Sequence, residues 1–245
     1  MRKRLDLTLV ERGLAPTRSR ARDLILSGNV LIDNTVCTKP AVEVGPGQEL
    51  TLAAGTQMTV SRAAAKLERG LEAFGFDPEG IIALDVGAST GGFTEVLLAH
   101  GAAKVYAVDV GHDQLHTSLK SNPRVICLEG CDVRALTRAL VPDPVGAIVA
   151  DVSFISLQKA LPAALELAAP GAWLVALIKP QFEAGREHVG KGGIVRDPEA
   201  REAAVGRISD WLAGLPGWTV LSVVASPIKG GSGNEEFLVG ARHDG

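Results

Sequence analysis

Short apolar runs recur along the second half of the chain, and most of them end at a charged residue. Buried parallel strands produce such uninterrupted runs, and the segments with helical periodicity between them predict crossover helices. The alternation therefore predicts an α/β fold with a doubly wound, mostly parallel sheet. The runs end at Asp85, Asp109, Leu128, Asp151 and Lys179, and the helical segments are 94–100, 133–140 and 157–168.

The pattern changes after Lys179. A Gly-rich loop, 183–196, leads to Asp197-Pro198, which favours a helix start with proline in the first turn, and that helix is predicted to end at Leu212. Two more strands are predicted at 218–226 and 236–240. These elements complete a large domain that we predict to span residues 61–245.

The first 54 residues have the pattern of a separate, small α+β domain. A helix stopped at Gly13 precedes a second one that Thr17 or Ser19 can cap and that runs through Ser27. Strands are predicted at 30–33, 36–38 and 49–52, with a turn at Asn34-Thr35. Residues 55–60 have linker composition, and Ser61 is predicted to cap a helix through Phe74, on which Lys66 is expected to face water.

Charge is distributed unevenly between these parts. The net charge is −3, but residues 1–28 carry seven Lys or Arg against three acids, so that segment is at +4 and the rest at −7. A basic segment on an acidic body indicates a nucleic-acid-binding domain, although a solvated basic helix face would look the same.

Cysteine and histidine usage favours a cytoplasmic protein without a metal centre. The three cysteines form no CxxC pair, and a reduced, cytosolic state is expected for them. His112 and His116 are four residues apart, but no third ligand is evident. No apolar run reaches the roughly 18 residues of a membrane span, and the N-terminus does not resemble a signal peptide.

The strand ending at Asp85 leads into a glycine turn and then a helix, which predicts a ligand site. A dinucleotide site needs GxGxxG and a P-loop needs a lysine after its last glycine; both are missing. An acid beside the turn would repel a pyrophosphate but suits a cationic ligand such as S-adenosyl-L-methionine. The predicted cofactor residues of this stretch are Asp85, Gly87, Ser89, Thr90, Gly91, Gly92 and Phe93.

Further acids at strand ends extend this site, because ligands of open α/β sheets bind at the carboxyl edge. Asp109 is placed to accept both ribose hydroxyls of the cofactor, and Asp132 to bind the adenine amino group. Asp151 begins the sequence DVSF, where methyltransferases acting on base amines carry two prolines that are absent here. Lys179 on the next strand suits a hydroxyl acceptor, whose proton it can take or offset, although a solvated strand-end lysine is the alternative.

The N-terminal segment resembles the S-four type RNA-binding fold named after a small-subunit ribosomal protein. The resemblance lies in RLD, LVERGL, RSRAR and ILSGNVLID, between positions 4 and 33. In that family the arginines contact the phosphates and shape of structured RNA. The resemblance implies this role for Arg4, Arg18, Arg20 and Arg22.

From Val60 onward the chain resembles the FtsJ/RrmJ-type ribose 2′-O-methyltransferases, which have the Rossmann-like class I methyltransferase fold. With the N-terminal domain it resembles the TlyA family, often labelled "hemolysin". The motifs are SRAAAKL, LDVGASTGGFTEVLL, VYAVDVG, ADVSFISL, LIKPQFE, GKGGIVRDP and GNEEFLV. The resemblance implies a catalytic tetrad of Lys66, Asp151, Lys179 and Glu236, with Asp151 also at the cofactor. Further candidate RNA contacts are Arg62 and the cations of the Gly-rich loop, Arg186, Lys191 and Arg196.

The activity implied is S-adenosyl-L-methionine-dependent 2′-O-methylation of a cytidine in ribosomal RNA, bound as free RNA or in a subunit. The chain length resembles that of shorter members acting on 23S rRNA alone, so 23S is favoured over 16S. Glu235 is an alternative to Glu236, and Thr59 stands where relatives often have an aromatic residue. Other hypotheses are N-methylation of a base or protein amine, RNA binding without catalysis, and the membrane lysis that the "hemolysin" label implies. The oligomeric state is not predicted.

Overall fold

The computed structural model describes residues 2–54, 56 and 59–244, without the side chain of Ser19. The chain divides into two compact units, Met1–Arg62 and Ala63–Gly245. Gly55, Gln57 and Met58, which belong to the predicted linker, lie outside the described residues.

The first unit is a small α+β domain. Helices α1 and α2 pack on each other, and the three strands β3-β2-β5 form an antiparallel sheet, with a separate pair β1-β4. Leu5, Leu9, Leu24 and Ile25 are fully buried in its core. The elements are β1 (Lys3–Arg4), α1 (Leu5–Glu11), α2 (Arg18–Leu26), β2 (Val30–Ile32), β3 (Thr35–Val36), β4 (Glu43–Val44) and β5 (Leu50–Leu52).

Local sequence explains most of this unit's boundaries. The hydroxyl of Thr17 accepts from the Arg20 N–H and caps α2, as one of the two predicted caps. The predicted turn at Asn34-Thr35 is wrong by one residue. Asp33 and Asn34 both have positive φ, 49° and 64°, the signature of a tight hairpin turn, and Thr35 already pairs with Ile32.

The second unit contains a seven-stranded sheet in the order β11-β12-β10-β9-β6-β7-β8. Strands β8, β7, β6, β9 and β10 are parallel, and β12 runs antiparallel between β10 and β11. The prediction of a mostly parallel, doubly wound sheet is confirmed. The strands are β6 (Ile82–Val86), β7 (Lys104–Asp109), β8 (Val125–Glu129), β9 (Val145–Ala150), β10 (Ala168–Ile178), β11 (Trp218–Ala225) and β12 (Phe237–His243).

Helices cover this sheet. The side chain of Asp197 caps α9, as the sequence predicts. The predicted cap at Ser61 is wrong, because α3 begins only at Ala64 and its N-cap is Ala63. The helices are α3 (Ala64–Phe74), α4 (Gly92–Ala99), α5 (Thr117–Lys120), α6 (Leu157–Ala160), α7 (Pro162–Leu165), α8 (Pro180–Glu183) and α9 (Pro198–Ala213).

Two predicted helices are shorter than expected. Residues 157–168 form α6 and α7 rather than one helix, since Pro162 lacks an N–H and its ring would clash inside a continuous helix. Of residues 133–140 only Val133–Ala135 is helical, as a 3₁₀ turn. The turn stops because Leu136 already has an extended backbone, with φ −62° and ψ 137°.

No helix among the described residues is long and apolar enough to cross a membrane. Within the same residues, no group of three His, Cys, Asp or Glu side chains is arranged to hold a metal ion.

Candidate functional site

Four charged side chains form a continuous cluster beyond the carboxyl ends of β9 and β10. Lys179 Nζ lies 2.6 Å from Asp151 Oδ1, and Lys66 Nζ lies 3.3 Å from Asp151 Oδ2. Lys66 Nζ also lies 2.8 Å from Glu236 Oε2. The structure thus brings together the four predicted tetrad residues, which are 170 positions apart at the extremes.

The two adjacent glutamates differ in their surroundings. Glu236 is buried and contacts Lys66, whereas Glu235 is exposed and pairs with Arg201 and Lys229. Gly230 lies against the Glu236 carboxylate, where an added Cβ would come within 2.4 Å of Oε1. This geometry supports Glu236 as the fourth member of the cluster.

Lys66 does not face water, contrary to the expectation from its helix alone. It is only 6% exposed, because α3 lies close to the sheet, with Gly70 against Val175. Burying a lysine requires paired charges, and Asp151 and Glu236 supply them.

Asp151 carries a negative charge at neutral pH. Burial by itself raises its pKa, but the nearby ammonium groups of Lys66 and Lys179 more than offset this, so the pKa of Asp151 lies below its usual value. The Lys179 ammonium also donates to Ser153 Oγ at 2.8 Å. The site therefore holds both lysines at fixed positions around one carboxylate.

The glycine turn after β6 packs tightly against this cluster. Gly87 has φ 83°, and a Cβ there would meet the Asp151 carbonyl oxygen at 2.9 Å. Gly91 has φ 99°, and a Cβ there would collide with Leu119. Only glycine satisfies both the left-handed backbone and the close approach at these two positions.

A pocket of about 400 Å³ opens beside the turn. The Asp109 carboxylate fixes its wall by accepting from the Ser89 N–H at 2.8 Å and the Gly111 N–H at 2.7 Å. Five predicted cofactor residues line the pocket: Gly87, Ser89, Asp109, Asp132 and Asp151. Its volume is within the range of small-molecule sites, roughly 300–1,000 Å³.

The other predicted cofactor residues lie behind this surface. Thr90, Gly91, Gly92 and Phe93 are not among the lining residues. Asp85 is fully buried, and one of its oxygens accepts from Thr94 Oγ1 at 2.6 Å. Burial raises the pKa of Asp85 to about 7, despite that hydrogen bond.

Among the predicted RNA-binding arginines, two are held by one buried acid. Arg4 and Arg18 both donate to Asp6, and these bonds, first that from Arg4, lower the pKa of Asp6 to about 2. Arg22 is exposed, and Arg20 is half-buried. Arg62 lies 4.0 Å from Asp23.

The remaining predicted RNA contacts are in the loop after α8. Arg186, Lys191 and Arg196 are all exposed. The loop is partly ordered by a 3₁₀ turn, Arg186–His188, and a bridge between Gly190 and Ile194. The buried Asn234 side chain holds it, donating to the Gly193 carbonyl at 2.7 Å and accepting from the Val195 N–H at 3.0 Å.

The structure adds residues that sequence reasoning did not assign to the site. Ser153 contacts Lys179, and Phe154 is 91% exposed in a left-handed conformation with φ 65°. A bulky residue with positive φ costs roughly 1–3 kcal/mol and is held by its surroundings, often at functional sites. The motif DVSF signalled the position but not this geometry.

A parallel sheet with one antiparallel strand, a glycine turn after the buried strand β6 and acids at the following strand ends together define a class I methyltransferase. The family model described as FtsJ-like methyltransferase matches residues 59–243, and that of the S4 domain matches residues 3–50. The structure and these matches agree on the fold of each part.

The 16S/23S rRNA (cytidine-2'-O)-methyltransferase TlyA of Mycobacterium tuberculosis is 46% identical over 242 residues, covering 98% of this chain and 90% of that protein. The 23S rRNA (cytidine-2'-O)-methyltransferase TlyA of Campylobacter jejuni is 38% identical, covering 75% and 70%. A solved Streptococcus thermophilus protein, described as a candidate hemolysin, is 38% identical with a TM-score of 0.79, covering 99% and 88%. The chain belongs to the TlyA family of FtsJ-like methyltransferases, which use S-adenosyl-L-methionine and carry an S4 RNA-binding domain.

Proposed function

We propose that this protein transfers a methyl group from S-adenosyl-L-methionine to the ribose 2′-hydroxyl of a cytidine in ribosomal RNA. The observation that carries the proposal is the buried cluster of Lys66, Asp151, Lys179 and Glu236 next to the cofactor pocket. Relatives named as cytidine-2'-O-methyltransferases support the acceptor. Such a substrate would place the enzyme in the cytoplasm, with the ribosomes.

In the proposed reaction the ribose 2′-oxygen would bond to the methyl carbon while the sulfur–carbon bond opposite it breaks, leaving S-adenosyl-L-homocysteine. Lys179 would be the group closest to the hydroxyl, with its position set by Asp151 and Ser153. As a neutral amine it would take the hydroxyl proton; as an ammonium it would offset the charge that develops on the oxygen, and the proton would pass to water. Lys66 and Glu236 position the acceptor ribose. Confinement of these groups in a largely buried site strengthens their electrostatic effect.

The cofactor roles follow from the same pocket. We assign Asp109 to the two cofactor ribose hydroxyls and Asp132 to the adenine amino group, since both carboxylates line the pocket. Asp85 lies beneath the turn, and we assign it to the cationic methionine part, whose positive charge would favour the ionised form of this carboxyl. In the turn from Gly87 to Phe93, Gly87 and Ser89 would contact the cofactor, and Thr90, Gly91, Gly92 and Phe93 would support them from behind.

We further propose that residues 1–54 form the RNA-binding domain, 55–60 the linker and 61–245 the catalytic domain. Arg4, Arg18, Arg20 and Arg22 would contact RNA phosphates, together with Arg62, Arg186, Lys191 and Arg196. We favour 23S rRNA as the substrate, because the names of both rRNA-methylating relatives above include 23S and only one includes 16S.

The first test compares Lys179→Ala with Lys104→Ala. Lys104 is the first residue of β7, so it lies at the amino ends of the parallel strands, and it pairs with Asp143. Its replacement removes the same charge as Lys179→Ala but far from the site. We expect Lys179→Ala to lower methyl transfer by about 10²–10⁴-fold, the usual contribution of a proton-transferring group, with S-adenosyl-L-homocysteine binding retained in calorimetry. Unchanged transfer by Lys179→Ala would contradict the mechanism.

A second test identifies the product and the subunit. Unmodified large and small ribosomal subunits are incubated with the protein and methyl-labelled cofactor, and the RNA is digested to nucleosides for mass spectrometry. We expect 2′-O-methylcytidine from the large subunit. A methyl group on a base would favour N-methylation instead, and label on the small subunit would correct the proposed 23S preference.

A further inference from the structure

A second pocket, of about 530 Å³, lies next to the cofactor pocket in the catalytic unit. The two pockets share the side chains of Arg134, Phe154 and Ile155 as a common wall. The far wall comes from Lys159 of α6, Phe182 of α8 and Arg186 of the following 3₁₀ turn. Neither the cofactor nor the tetrad accounts for this second cavity.

Aromatic rings form one side of the pocket. The rings of Phe154 and Phe182 have centroids 5.1 Å apart and are tilted by 50°. Phe154 is 91% exposed, so much of its ring surface stays uncovered beyond its contact with Phe182. An exposed aromatic face of this kind suits a planar ring, since nucleobases stack on phenylalanine without regard to sequence.

Positive charge forms the other side. Three cations line the cavity, Arg134, Lys159 and Arg186, and none of the described lining residues is an acid. The Asp132 carboxylate partly neutralises Arg134, but Lys159 and Arg186 are exposed and have no ion-pair partner within the described parts of the chain. Two free cations beside an aromatic wall match the phosphate and base of a nucleotide.

We propose that this cavity is a subsite for a nucleotide that flanks the methylated cytidine in the RNA strand. Its base stacks against the paired rings of Phe154 and Phe182, and its phosphate contacts Lys159 and Arg186. This inference rests on the proposed RNA substrate. Asp151, Ser153 and Phe154 are nearly consecutive in the chain and all line the cofactor pocket. The RNA strand would therefore run from the tetrad to the subsite over the Phe154 ring, with the target ribose beside Lys179.

The experiment measures binding and methylation of unmodified large ribosomal subunits by three single variants. Phe182→Leu keeps an apolar side chain but removes the stacking face, and Lys159→Gln removes one exposed cation. Arg69→Gln is the control, because Arg69 is an exposed cation on α3 outside the cavity, paired only with Glu72 among the described residues. Calorimetric titration with S-adenosyl-L-homocysteine reports on the cofactor pocket.

We expect Phe182→Leu to raise KM for the subunit roughly tenfold with little change in kcat, the size expected for one lost stacking contact. Lys159→Gln should lower the slope of log Kd against log salt concentration by about 1, as one lost phosphate contact does. Arg69→Gln should change neither quantity, and all three variants should bind S-adenosyl-L-homocysteine as the unaltered protein does.

Two outcomes would overturn the subsite. Unchanged KM in Phe182→Leu together with an unchanged salt slope in Lys159→Gln would show that RNA does not occupy the cavity. Lys159 is exposed, so Lys159→Gln should not disturb the fold. Loss of S-adenosyl-L-homocysteine binding in this variant would therefore assign the cavity to the cofactor. Failure of the proposed rRNA methylation would look different from failure of the subsite, because the unaltered protein itself would then methylate neither ribosomal subunit.

Discussion

At the scale of single residues, Asp151 is the carboxylate that joins the two lysines of the site. Its two oxygens contact different ammonium groups, that of Lys179 at 2.6 Å and that of Lys66 at 3.3 Å. Glu236 then neutralises the second lysine from the other side. Removing Asp151 would leave the Lys179 ammonium without a counter-charge, and removing Lys66 would do the same to the Glu236 carboxylate. Either loss is more costly than that of a surface ion pair.

The adjacent glutamates allow this point to be tested with a matched pair. We expect Glu236→Gln to lower methyl transfer at least tenfold, because Lys66 loses the nearer of its two buried counter-charges. Glu235→Gln should stay within about twofold, since its contacts with Arg201 and Lys229 lie on the surface. Steady-state methylation assays measure both; equal losses would mean that Glu236 has no special role.

Asp85 gives a second residue-scale prediction, on pH. Its pKa is about 7 in the folded protein, against about 3.9 in an unfolded chain. Between these values the folded state holds a proton that the unfolded state has released, so the free energy of unfolding falls as pH rises from about 4 to about 7. Below about pH 4 the Asp85 carboxyl is protonated in both states, and its contribution to the free energy of unfolding is fully present.

The Asp85→Asn variant has no titrating group at this position. Its free energy of unfolding should therefore fall less than that of the unaltered protein between about pH 4 and about pH 7. Urea unfolding of the cofactor-free protein at about pH 5 and about pH 7.5 measures the difference between the two proteins. Parallel curves for the unaltered protein and Asp85→Asn would show that the Asp85 carboxyl does not titrate in this window.

At the scale of elements, helix α3 positions Lys66 through close packing on the sheet. A Cβ at Gly70 would come within 2.7 Å of Val175 Cγ1, and one at Gly240 of β12 would enter the Phe74 ring. Glycine at both contacts lets the helix approach the strands closely. Lys66, in the first turn of α3, thereby reaches Asp151 and Glu236. The position of Lys66 therefore depends on residues that have no chemical role.

Gly70→Ala should destabilise the protein by about 1–3 kcal/mol, because overpacking outweighs the better helix propensity of alanine. Gly206→Ala is the control. It makes the same change inside α9, where nothing lies within 4 Å of the added Cβ, and it should stabilise by about 0.5–1 kcal/mol. Chemical denaturation measures both; stabilisation by Gly70→Ala would contradict the close packing of α3.

At the scale of the whole molecule, charge is divided along the chain. The first 28 residues have a net charge of +4, while the rest has −7. An acidic body keeps RNA from binding at random over the surface, and basic segments direct it to chosen places. The catalytic unit carries exposed cations of its own in the loop after α8.

Binding of ribosomal RNA should therefore weaken steeply with salt, and Arg22→Gln should reduce the slope of log Kd against log salt concentration by about 1. Arg22 is exposed on α2, so its replacement should leave stability and S-adenosyl-L-homocysteine binding unchanged. Filter binding over a salt series measures the slope. An unchanged slope in Arg22→Gln would place the RNA elsewhere.

The amino-acid sequence alone was enough to predict most of the strands and helices, the glycine turn and the strand-end acids, because these depend on local periodicity and local turn chemistry. It also carried the family resemblance, through motifs spread over both units. It missed the short elements β1, β4, α5 and α8, and it overestimated helix length in the segment divided into α6 and α7 and at the 3₁₀ turn after Asp132.

Only the tertiary structure decided which side of α3 is buried, and so that Lys66 faces Asp151 rather than water. It likewise separated Glu236 from Glu235 and brought Phe154 and Phe182 together beside Lys159. The physical reason is that burial and charge pairing arise from contacts between segments far apart in sequence, which periodicity within one segment cannot encode.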